Sequence, residues 1–417
     1  MKILEIDGNY PLTGTIRIGG AKNSAVALIP ACILSNSKTT LTNVPDITDI
    51  YVLKDILEFL EVKVSEASGS LVIDPSLMIN KAIPDELSNR LRASYYFMAS
   101  LLAKYKHVIM HFPGGCQIGS RPIDQTLKVF ESLGATVEEH DCVFEIKAEE
   151  LVGNEITLDM PSVGATVNGI IVATLAKGDT IIHNAAREPE IVDLAEMLNK
   201  MGAKIIGAGN STIKITGVES LDGCFHNVMP DRIEAGTYII LGALIGSYLR
   251  IENIVTDHLK SLLDKMLDMG CDLEINSDSV VVNAHDNLLA TDIKTSGYPG
   301  FPTDLQQPFV TLLIGAKGRS TVTENIYENR YMNIPFLNKM GANISVKERV
   351  ATILGGNMLH GEEVEATDLR AGASLLLAAL KAEGHTTIKN AHYILRGYED
   401  LIEKLTSIGA KIELKEI

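Results

Sequence analysis

Cysteine is scarce in this sequence, and its placement argues against several kinds of site. Five cysteines occur in 417 residues, an odd number, and no two of them form a CxxC pair. They are widely spaced, at Cys32, Cys116, Cys142, Cys224 and Cys271. This usage argues against a disulfide framework or a zinc site and favours a reducing compartment, so we expect a cytoplasmic protein. HExxH, Walker A and GxGxxG motifs are also missing, so no motif supports binding of a metal ion, ATP or a dinucleotide.

Long apolar segments and an excess of positive charge are missing as well. The longest apolar stretch, TYIILGALIGSYL, contains glycine and is too short for the roughly 30 Å of a bilayer core. The first residues, MKILEIDGNYPLTG, lack the basic and apolar regions of a secretory signal, so we expect none. Lys and Arg number 37 against 53 Asp and Glu, a net charge of −16. We therefore expect no nucleic-acid or membrane partner, although a local group of Lys and Arg could still bind a small anion.

What the sequence does contain is an internal repeat. A glycine, a small residue and a short alternating strand recur in LGATVEE, MGAKIIG, MGCDLEI, MGANISV and IGAKIEL, with a degenerate first copy in LEVKVSE. Successive copies lie about 70 residues apart, and each follows an amphipathic helix such as EIVDLAEMLNKMG. A second phrase, an apolar helix that leads to a strand, runs in phase with the first, as in TLAKGDTIIHNAA. Because helices alternate with strands in each unit, the pattern predicts the α/β (α+β) class.

The repeat could form one solenoid or two groups of three units. The units are longer than solenoid repeats, which favours two globular domains with a boundary near HNVMPDRIEAG, residues 226–236. Periodicity alone is equally compatible with a structural scaffold. Ligand sites often lie between domains, so charged residues in corresponding loops of both halves are the functional candidates.

Three segments carry candidate functional residues, and each has a structural alternative. GGAKNSAVALIP places Lys22 and Asn23 at a helix N-terminus, where an anion could bind, but a solvated lysine in a capping turn is the alternative. GGCQIGSRPID places Cys116 in a loop before Arg121, whose charge would favour a thiolate and suit a nucleophile or proton donor; the alternative is a buried structural cysteine. GFPTDLQQPF places Asp304 in a turn, where helix capping is the default and acceptance of a hydroxyl proton is the functional alternative.

In the second half of the chain, arginines recur at the same position of successive repeats. NIYENRYMNIP, ATDLRAGASLL and HYILRGYED contribute Arg330, Asp368, Arg370 and Arg396 at three strand-to-helix loops. Each could be a salt bridge or a cap, but three arginines at the same phase of consecutive units are expected on one side of the fold. Such a group of cations suits a substrate with phosphate and carboxylate groups, because planar guanidinium groups bind both bidentately.

Together these segments resemble one family. The chain is similar to the UDP-N-acetylglucosamine enolpyruvyl transferases (1-carboxyvinyltransferases) in the motifs GAKNSA, GGCQIGSRPID, PSVGATVN, AAREPEIVDLAEML, PDRIEAGTY, GFPTDLQ, ENRYMN, ATDLRAGASL and LRGYEDL, which occur in family order. The resemblance implies a two-domain inside-out α/β barrel built from six βαβαββ-like repeats, three per domain. It places the domains at 22–229 and at 1–21 plus 230–417, with the active site in the cleft between them.

The resemblance also implies a reaction. The enolpyruvyl group of phosphoenolpyruvate would pass to the 3′-hydroxyl of UDP-N-acetylglucosamine with release of phosphate, the first committed step of peptidoglycan synthesis. It implies no cofactor and no metal, two small-molecule substrates, and a monomer or weak homo-oligomer. Cys116 would be the general acid, on a loop whose glycines let it close over the site, and would be the group that fosfomycin alkylates.

The resemblance assigns roles to individual residues. Besides Cys116, the catalytic residues would be Asp304 as the base at the sugar hydroxyl, with Lys22 and Arg396. Phosphoenolpyruvate would be bound by Lys22, Asn23, Arg121, Arg330, Arg370 and Arg396. The nucleotide sugar would be bound by Asn23, Arg92, Arg121, Pro122, Ile123, Asp124, Gln125, Ser162, Val163, Gly164, Asp304 and Ile326. Asp368 would support the site.

The sequence departs from the family pattern at one place, and three alternative functions are open. Met160 and Pro161 stand where some family members carry a lysine and a small apolar residue, which puts one nucleotide contact in doubt. The alternatives are the related 3-phosphoshikimate 1-carboxyvinyltransferase activity, a silent homologue that only senses the nucleotide sugar, and a plain scaffold. The thiol-bearing segment GGCQIGSRPID argues against the first. The full set of candidate residues argues against the other two.

Overall fold

The computed structural model of the protein describes residues 2–67, 69–114 and 122–416. The helices are α1 (Lys22–Ala31), α2 (Thr48–Phe59), α3 (Asp85–Ser88), α4 (Tyr96–Tyr105), α5 (Asp124–Ser132), α6 (Val163–Ala173), α7 (Pro189–Lys200), α8 (Arg232–Ile245), α9 (Lys260–Asp268), α10 (Thr303–Gly315), α11 (Ile334–Lys339), α12 (Leu369–Lys381), α13 (His392–Leu395) and α14 (Leu401–Ser407). Short 3-10 turns lie at Cys32–Leu34, Arg92–Tyr95 and Thr256–Leu259.

The strands are short, as expected for units of this length. They are β1 (Lys2–Asp7), β2 (Leu12–Arg17), β3 (Thr39–Thr42), β4 (Lys63–Ala67), β5 (Ser70–Asp74), β6 (His107–His111), β7 (Thr136–His140), β8 (Val143–Lys147), β9 (Glu155–Thr157), β10 (Asp179–His183), β11 (Lys204–Ile206), β12 (Thr212–Thr216), β13 (Phe225–Asn227), β14 (Gly246–Glu252), β15 (Asp272–Ile275), β16 (Ser279–Asn283), β17 (Ile293–Lys294), β18 (Arg319–Thr323), β19 (Ile344–Lys347), β20 (Val350–Leu354), β21 (Glu363–Glu365), β22 (His385–Lys389) and β23 (Lys411–Glu416).

The described residues form two compact units. One consists of residues 20–114 and 122–229, and the other of residues 2–19 and 230–416. Each unit has its own core of buried aliphatic and aromatic side chains. The chain passes between the units at Gly19–Gly20 and again at Met229–Pro230.

The sheets share one pattern of strand pairing. In the unit of residues 2–19 and 230–416 the strand orders are β21-β22-β1-β23, β15-β16-β14-β2 and β17-β18-β20-β19, and in the other unit they are β13-β3-β5-β4, β11-β12-β10-β9 and β6-β8-β7. Each four-stranded sheet contains one parallel pair followed by two antiparallel pairs. In the three-stranded sheet a parallel bridge between Ile83 and Met110 takes the place of the parallel pair. Many strands alternate between buried and less buried residues, as in β3, where Thr39 and Leu41 are buried and Thr40 and Thr42 are partly buried, so one face of the sheet packs on a core.

Three helices form the centre of each unit. The helices α8, α10 and α12 pack against one another, and in the other unit α4 packs against both α1 and α6. All fourteen residues of α8 are buried, and α12 is buried from Leu369 to Leu380. A helix that is apolar on all sides is stable only inside a core, and charged side chains are then tolerated chiefly at its ends.

The outer helices explain the repeated glycine phrase. The helices α5, α7, α9, α11 and α14 are each followed by a glycine with a left-handed backbone, at φ angles of 98°, 107°, 84°, 107° and 99°. The next residue donates its N–H back into the last turn, for example from Ala203 to the carbonyl of Leu198 at 3.0 Å. Glycine is favoured here because a Cβ strains this conformation. In the degenerate first copy Glu61 takes the same position after α2, with a φ angle of 62°.

The α/β class predicted from the sequence is confirmed, since helices and strands alternate through both units. Among the residues that the structure describes, no helix combines the length and the apolar character needed to span a bilayer.

The N-terminal strand is held in its sheet by a charged contact as well as by backbone pairing. On β22, His385 lies opposite Asp7 of β1, and its ring nitrogens contact Asp7 at 2.8 Å and Glu5 at 2.6 Å. These two carboxylates, Asp7 first, raise the pKa of His385. The group is half exposed, so the effect is screened by solvent.

We expect His385 to make the stability of the protein pH-dependent. Because the folded state raises the pKa of the imidazole, the stabilisation is complete below the ordinary histidine pKa and is lost as pH rises through the folded-state value. His385→Gln should therefore lower the unfolding midpoint more at about pH 5.5 than at about pH 8.5. Thermal unfolding followed by circular dichroism measures this. His140→Gln, at an exposed histidine whose Glu138 contact is 3.8 Å long, is the control. An equal effect of His385→Gln at both pH values would contradict the expectation.

Candidate active site

Two central helices of the unit formed by residues 2–19 and 230–416 begin with capping aspartates. Asp231 accepts hydrogen bonds from two backbone N–H groups of α8 at 2.8 and 3.0 Å. Asp368 does the same for α12 at 2.9 and 3.1 Å. Asp368 is thus a cap, which was the structural alternative in the sequence. The N-terminus of a helix carries partial positive charge, so these carboxylates are also stabilised electrostatically.

Asp304 contacts two arginines from other segments. It lies in the first turn of α10, and its Oδ1 is paired with Nη2 of Arg330. Its Oδ2 is 3.2 Å from Nη2 of Arg370. Both arginine side chains are at most 5% exposed, whereas the Asp304 side chain is 25% exposed. The structure therefore brings three predicted site residues together, with the carboxylate on the solvent side of two buried cations.

Arg370 is held in its charged form. Burial alone favours the neutral guanidine, but Asp304, Tyr398 and Asp231 outweigh it and raise the pKa of Arg370. Its Nη1 donates to the hydroxyl of Tyr398 at 3.2 Å, and that hydroxyl is 3.0 Å from Oγ1 of Thr237 on α8. Through Arg370 and Tyr398, the N-terminal halves of α8, α10 and α12 are joined in one polar network.

Arg330 is fixed from several sides. Its Nε donates to Oγ1 of Thr303 at 3.3 Å, its Nη1 is 3.9 Å from Asp368, and its guanidinium lies 5.1 Å from the ring centre of Tyr327. Buried Glu324 organises the surrounding loop by accepting hydrogen bonds from Thr303 at 3.0 Å and from the N–H of Tyr327 at 3.1 Å. A buried carboxylate with several donors orients its neighbours firmly.

Two further predicted residues of this unit lie on neighbouring loops. Ile326 is 40% exposed, and its N–H donates to Glu324 at 2.8 Å. Arg396 follows α13 and is half-buried, two residues before Tyr398. Burial and the charge of Arg396 lower the pKa of His392.

In the unit of residues 20–114 and 122–229, the predicted cation Lys22 opens α1. Its Nζ is 2.7 Å from Oδ2 of Asp49, in the first turn of α2, and the lysine side chain is 14% exposed. Asn23 is exposed beside it. Lys22 is therefore not the freely solvated lysine of the structural alternative, because its ammonium is oriented by a buried carboxylate.

The starts of α4 and α6 meet in the same unit. Arg92 donates to the carbonyl of Pro113 at 3.3 Å, and its guanidinium lies 5.7 Å from the ring centre of Tyr95. The hydroxyl of Tyr95 lies against Gly164, where an added Cβ would come within 1.7 Å of it. Ser162 caps α6 by accepting from a backbone N–H at 3.3 Å, and Val163 is exposed. Arg92, Ser162, Val163 and Gly164 thus belong to one surface region.

The start of α5 is tied to the segment before α6. Gln125 donates to Asp159 at 2.9 Å and accepts from the N–H of Asp159 at 2.9 Å. Lys128 contacts the same carboxylate at 2.6 Å, and Lys128 and Gln125 lower the pKa of Asp159. Met160 follows Asp159 and is 62% exposed. Of the predicted residues in this segment, Gln125 makes the contact, and Pro122, Ile123 and Asp124 come directly before it on the chain.

Two predicted residues, Cys116 and Arg121, lie in the segment 115–121, outside the described residues. Several residues in these contacts, among them Tyr398, Asp49, Glu324 and Asp159, were not predicted from the sequence as site residues. Tyr398 stands inside the motif LRGYEDL, so its position was visible but its role was not. Asp49, Glu324 and Asp159 carry no local signal, because an acidic residue at a helix start or a strand end is ordinary.

The arrangement can bind anions. Lys22 and Arg370 stand in the N-terminal turns of central helices, one in each unit, where the helix dipole adds positive potential. Bidentate guanidinium groups suit phosphate and carboxylate oxygens. Among the described residues, no group of three or more His, Cys, Asp or Glu side chains is arranged to hold a metal ion.

The contact between Gly164 and Tyr95 provides a test of the geometry. Gly164→Ala should destabilise the protein by about 1–3 kcal/mol, because the new methyl group overlaps the Tyr95 hydroxyl. Combining it with Tyr95→Phe should recover part of that loss, since the closest atom is removed. Urea unfolding of the two single variants and the double variant gives the coupling energy. Additive effects would mean that the two residues do not touch as described.

The sequence has well-characterised relatives. Residues 6–405 match the family described as EPSP synthase (3-phosphoshikimate 1-carboxyvinyltransferase). The chain is 48% identical over 409 residues to UDP-N-acetylglucosamine 1-carboxyvinyltransferase 2 of Listeria monocytogenes, covering 98% of this chain and 97% of the relative. It is 48% identical over 413 residues to the protein of the same name from Bacillus cereus, covering 99% and 96%.

Solved structures agree with the sequence comparison. The enolpyruvyl transferase NikO from Streptomyces tendae superimposes with a TM-score of 0.91 at 28% identity, covering 99% of each chain. EPSP synthase from Acinetobacter baumannii superimposes with a TM-score of 0.77 at 18% identity over 100% of each chain, which shows a shared fold. The resemblance predicted from the motifs is confirmed, and the chain belongs to the UDP-N-acetylglucosamine 1-carboxyvinyltransferases, within the wider EPSP synthase family.

Proposed function

We propose that this protein transfers the enolpyruvyl group of phosphoenolpyruvate to the 3′-hydroxyl of UDP-N-acetylglucosamine and releases phosphate. This is the first committed step of peptidoglycan synthesis. The observation that supports the proposal most strongly is the 48% identity, over 98% of the chain, to a protein that carries the corresponding name. The buried arginines beside Asp304 add a chemical reason, because both substrates are anions.

The finer architecture is part of the proposal. The three sheets of each unit would surround its three central helices as an inside-out barrel, with three repeats per unit. The shared strand order of the sheets and the identical ends of the outer helices support this arrangement. The proposed domains are 22–229 and 1–21 plus 230–417, and the compact units, which change at Gly20 and Pro230, differ from them by two residues at one boundary.

The proposed chemistry is an addition followed by an elimination. In the addition, Cys116 donates a proton to C3 of phosphoenolpyruvate while the sugar 3′-oxygen forms a bond to C2 and its proton passes to Asp304. In the elimination, the Cys116 thiolate takes a proton back from C3, the C2–C3 double bond forms again, the bond between C2 and the phosphate oxygen breaks, and the departing phosphate accepts the proton held by Asp304. A positioned acid and base typically contribute 10²- to 10⁴-fold each.

The cations would bind the phosphate and carboxylate of phosphoenolpyruvate. Lys22, Arg121 and Arg396 are the proposed main contacts, with Asn23, Arg330 and Arg370 beside them. Fixed positive charge stabilises the phosphate as it leaves, which lowers the barrier of the elimination. The proposed nucleotide-sugar contacts are Asn23, Arg92, Arg121, Pro122, Ile123, Asp124, Gln125, Ser162, Val163, Gly164, Asp304 and Ile326.

The ion pairs of Asp304 add a condition to this mechanism. Both carboxylate oxygens are engaged by guanidinium groups, one from Arg330 and one from Arg370. A carboxylate in such a pair is a weak proton acceptor until the cations shift towards another anion. Phosphoenolpyruvate is that anion in the proposal, so its arrival would release Asp304 to accept the hydroxyl proton.

The competing activity is transfer to shikimate 3-phosphate, which the description of the wider family raises. The deciding experiment measures phosphate release from phosphoenolpyruvate with each acceptor in turn. We expect release with UDP-N-acetylglucosamine and none with shikimate 3-phosphate. The reverse pattern would replace the proposal, and binding of the nucleotide sugar without any phosphate release would indicate a sensor.

Asp304→Asn should lower kcat by about 10²-fold or more, because the amide cannot accept the hydroxyl proton. Binding of UDP-N-acetylglucosamine, measured by calorimetry, should persist. Asp264→Asn, at a half-exposed aspartate paired with Lys260, is the matched control and should have wild-type kcat. A wild-type kcat in Asp304→Asn would remove Asp304 from the mechanism.

Cys116→Ser should abolish turnover, because a serine hydroxyl is far too weak an acid to protonate C3. Cys116→Asp should retain partial activity and resist the thiol-alkylating inhibitor fosfomycin. Cys142→Ser, at an exposed cysteine, controls for removal of a thiol and should behave as wild type. Equal fosfomycin inhibition of Cys116→Asp and wild type would contradict the role of the Cys116 thiol.

A further inference from the structure

A buried polar chain lies under the helix that carries Lys22. It runs from Ser24 on α1 through Asp193 on α7 to His226 on β13, and it ends at Lys200 on the surface. Ser24, Asp193 and His226 are 0%, 6% and 1% exposed. None of these four residues has a role in the proposed reaction.

The hydrogen-bond partners of His226 decide which of its ring nitrogens carries the proton. Nζ of Lys200 is 3.0 Å from Nδ1 of His226. An ammonium group only donates hydrogen bonds, so Nδ1 must accept, and the proton of the neutral imidazole lies on Nε2. Nε2 then donates to Oδ1 of Asp193 at 2.9 Å. The carboxylate of Asp193 is thereby held from one side by a histidine of defined tautomer.

The other oxygen of Asp193 holds the first turn of α1. Oδ2 accepts a hydrogen bond from the hydroxyl of Ser24 and another from the N–H of Met229 at 3.4 Å. The carbonyl of Met229 in turn accepts from the N–H of Ala21 at 2.7 Å. Lys22 and Asn23 lie between Ala21 and Ser24. The first turn of α1 is therefore held by hydrogen bonds on both sides of these two residues.

The start of α1 depends on this remote carboxylate. The N-cap of α1 is Ala21, which makes no side-chain hydrogen bond to the helix start. Alanine is among the poorest N-cap residues. The carboxylate of Asp193, on α7, holds the first turn instead by accepting a hydrogen bond from the Ser24 hydroxyl.

A buried carboxylate is costly to desolvate, and an apolar replacement is often as stable. Its value here is therefore geometric. We propose that Asp193, oriented by His226, is a positioning residue that fixes the N-terminal turn of α1 and with it the Lys22 ammonium. The inference rests on the proposed function, because it takes Lys22 and Asn23 as contacts of phosphoenolpyruvate.

Steady-state kinetics of Asp193→Ala test this positioning role. The variant should raise the KM for phosphoenolpyruvate about tenfold or more, because the turn loses the carboxylate that holds Ser24 and Met229, and should change the KM for the nucleotide sugar less. Asp193→Asn should recover part of the loss, since an amide can still accept from His226 and donate to Ser24 but cannot accept from the N–H of Met229. Ser24→Ala should have a smaller effect in the same direction.

Asn199→Ala is the matched control. Asn199 lies on the same helix and exchanges two hydrogen bonds with the backbone of Ile205 at 2.8 and 2.9 Å, away from α1. Both variants should lower the unfolding midpoint, but only Asp193→Ala should change the KM. If Asp193→Ala lowers stability and leaves the KM at the value of the control, the role is structural and the proposal fails.

A second measurement does not depend on activity. Nitrogen-15 NMR of histidine-labelled protein should show His226 as the Nε2–H tautomer, and Asp193→Asn should shift its signals. The opposite tautomer would overturn the hydrogen-bond chain. A wild-type protein without turnover of phosphoenolpyruvate and UDP-N-acetylglucosamine would instead overturn the proposed function, so the two failures are distinct.

Discussion

The pairing of one carboxylate with two buried guanidinium groups is the constraint on which the described site depends. Arg330 and Arg370 are both buried and both pair with Asp304, and Asp304 takes its orientation from them. The pairing also joins the first turns of α10 and α12, whose N–H groups add positive potential at the same place. The buried positive charge at this point is therefore held by contacts between several segments of the fold and does not depend on any single side chain.

The location of the predicted residues follows from how the central helices are buried. Because α8, α10 and α12 are buried along most of their length, charged residues stand only at or near their ends, and the sequence shows where those ends are. This is why Asp304, Asp368 and Arg370 could be predicted from motifs. Their partners could not, since the contacts of Tyr398 and Glu324 join segments that are distant in sequence and chemically unremarkable.

Local features of the fold could likewise be predicted from the sequence, whereas contacts between distant segments could not. The glycine that follows each outer helix is a local requirement of a left-handed turn, so it repeats visibly along the chain. Strand partners are not local: β13 pairs with β3 and β2 pairs with β14, although long segments separate them. Periodicity predicts a number of repeats but carries no information about which distant strand completes a sheet.

The pairing of the N-terminal strand sets an order for assembly during synthesis. The strand β1 lies between β22 and β23, so Lys2–Asp7 can complete its sheet only after residues near 416 have left the ribosome. The described residues of the other unit all lie between positions 20 and 229, and the strands of its sheets pair only with one another. The nascent chain would therefore carry an unpaired leading strand through most of translation, which is the period when an exposed strand edge is most prone to aggregation.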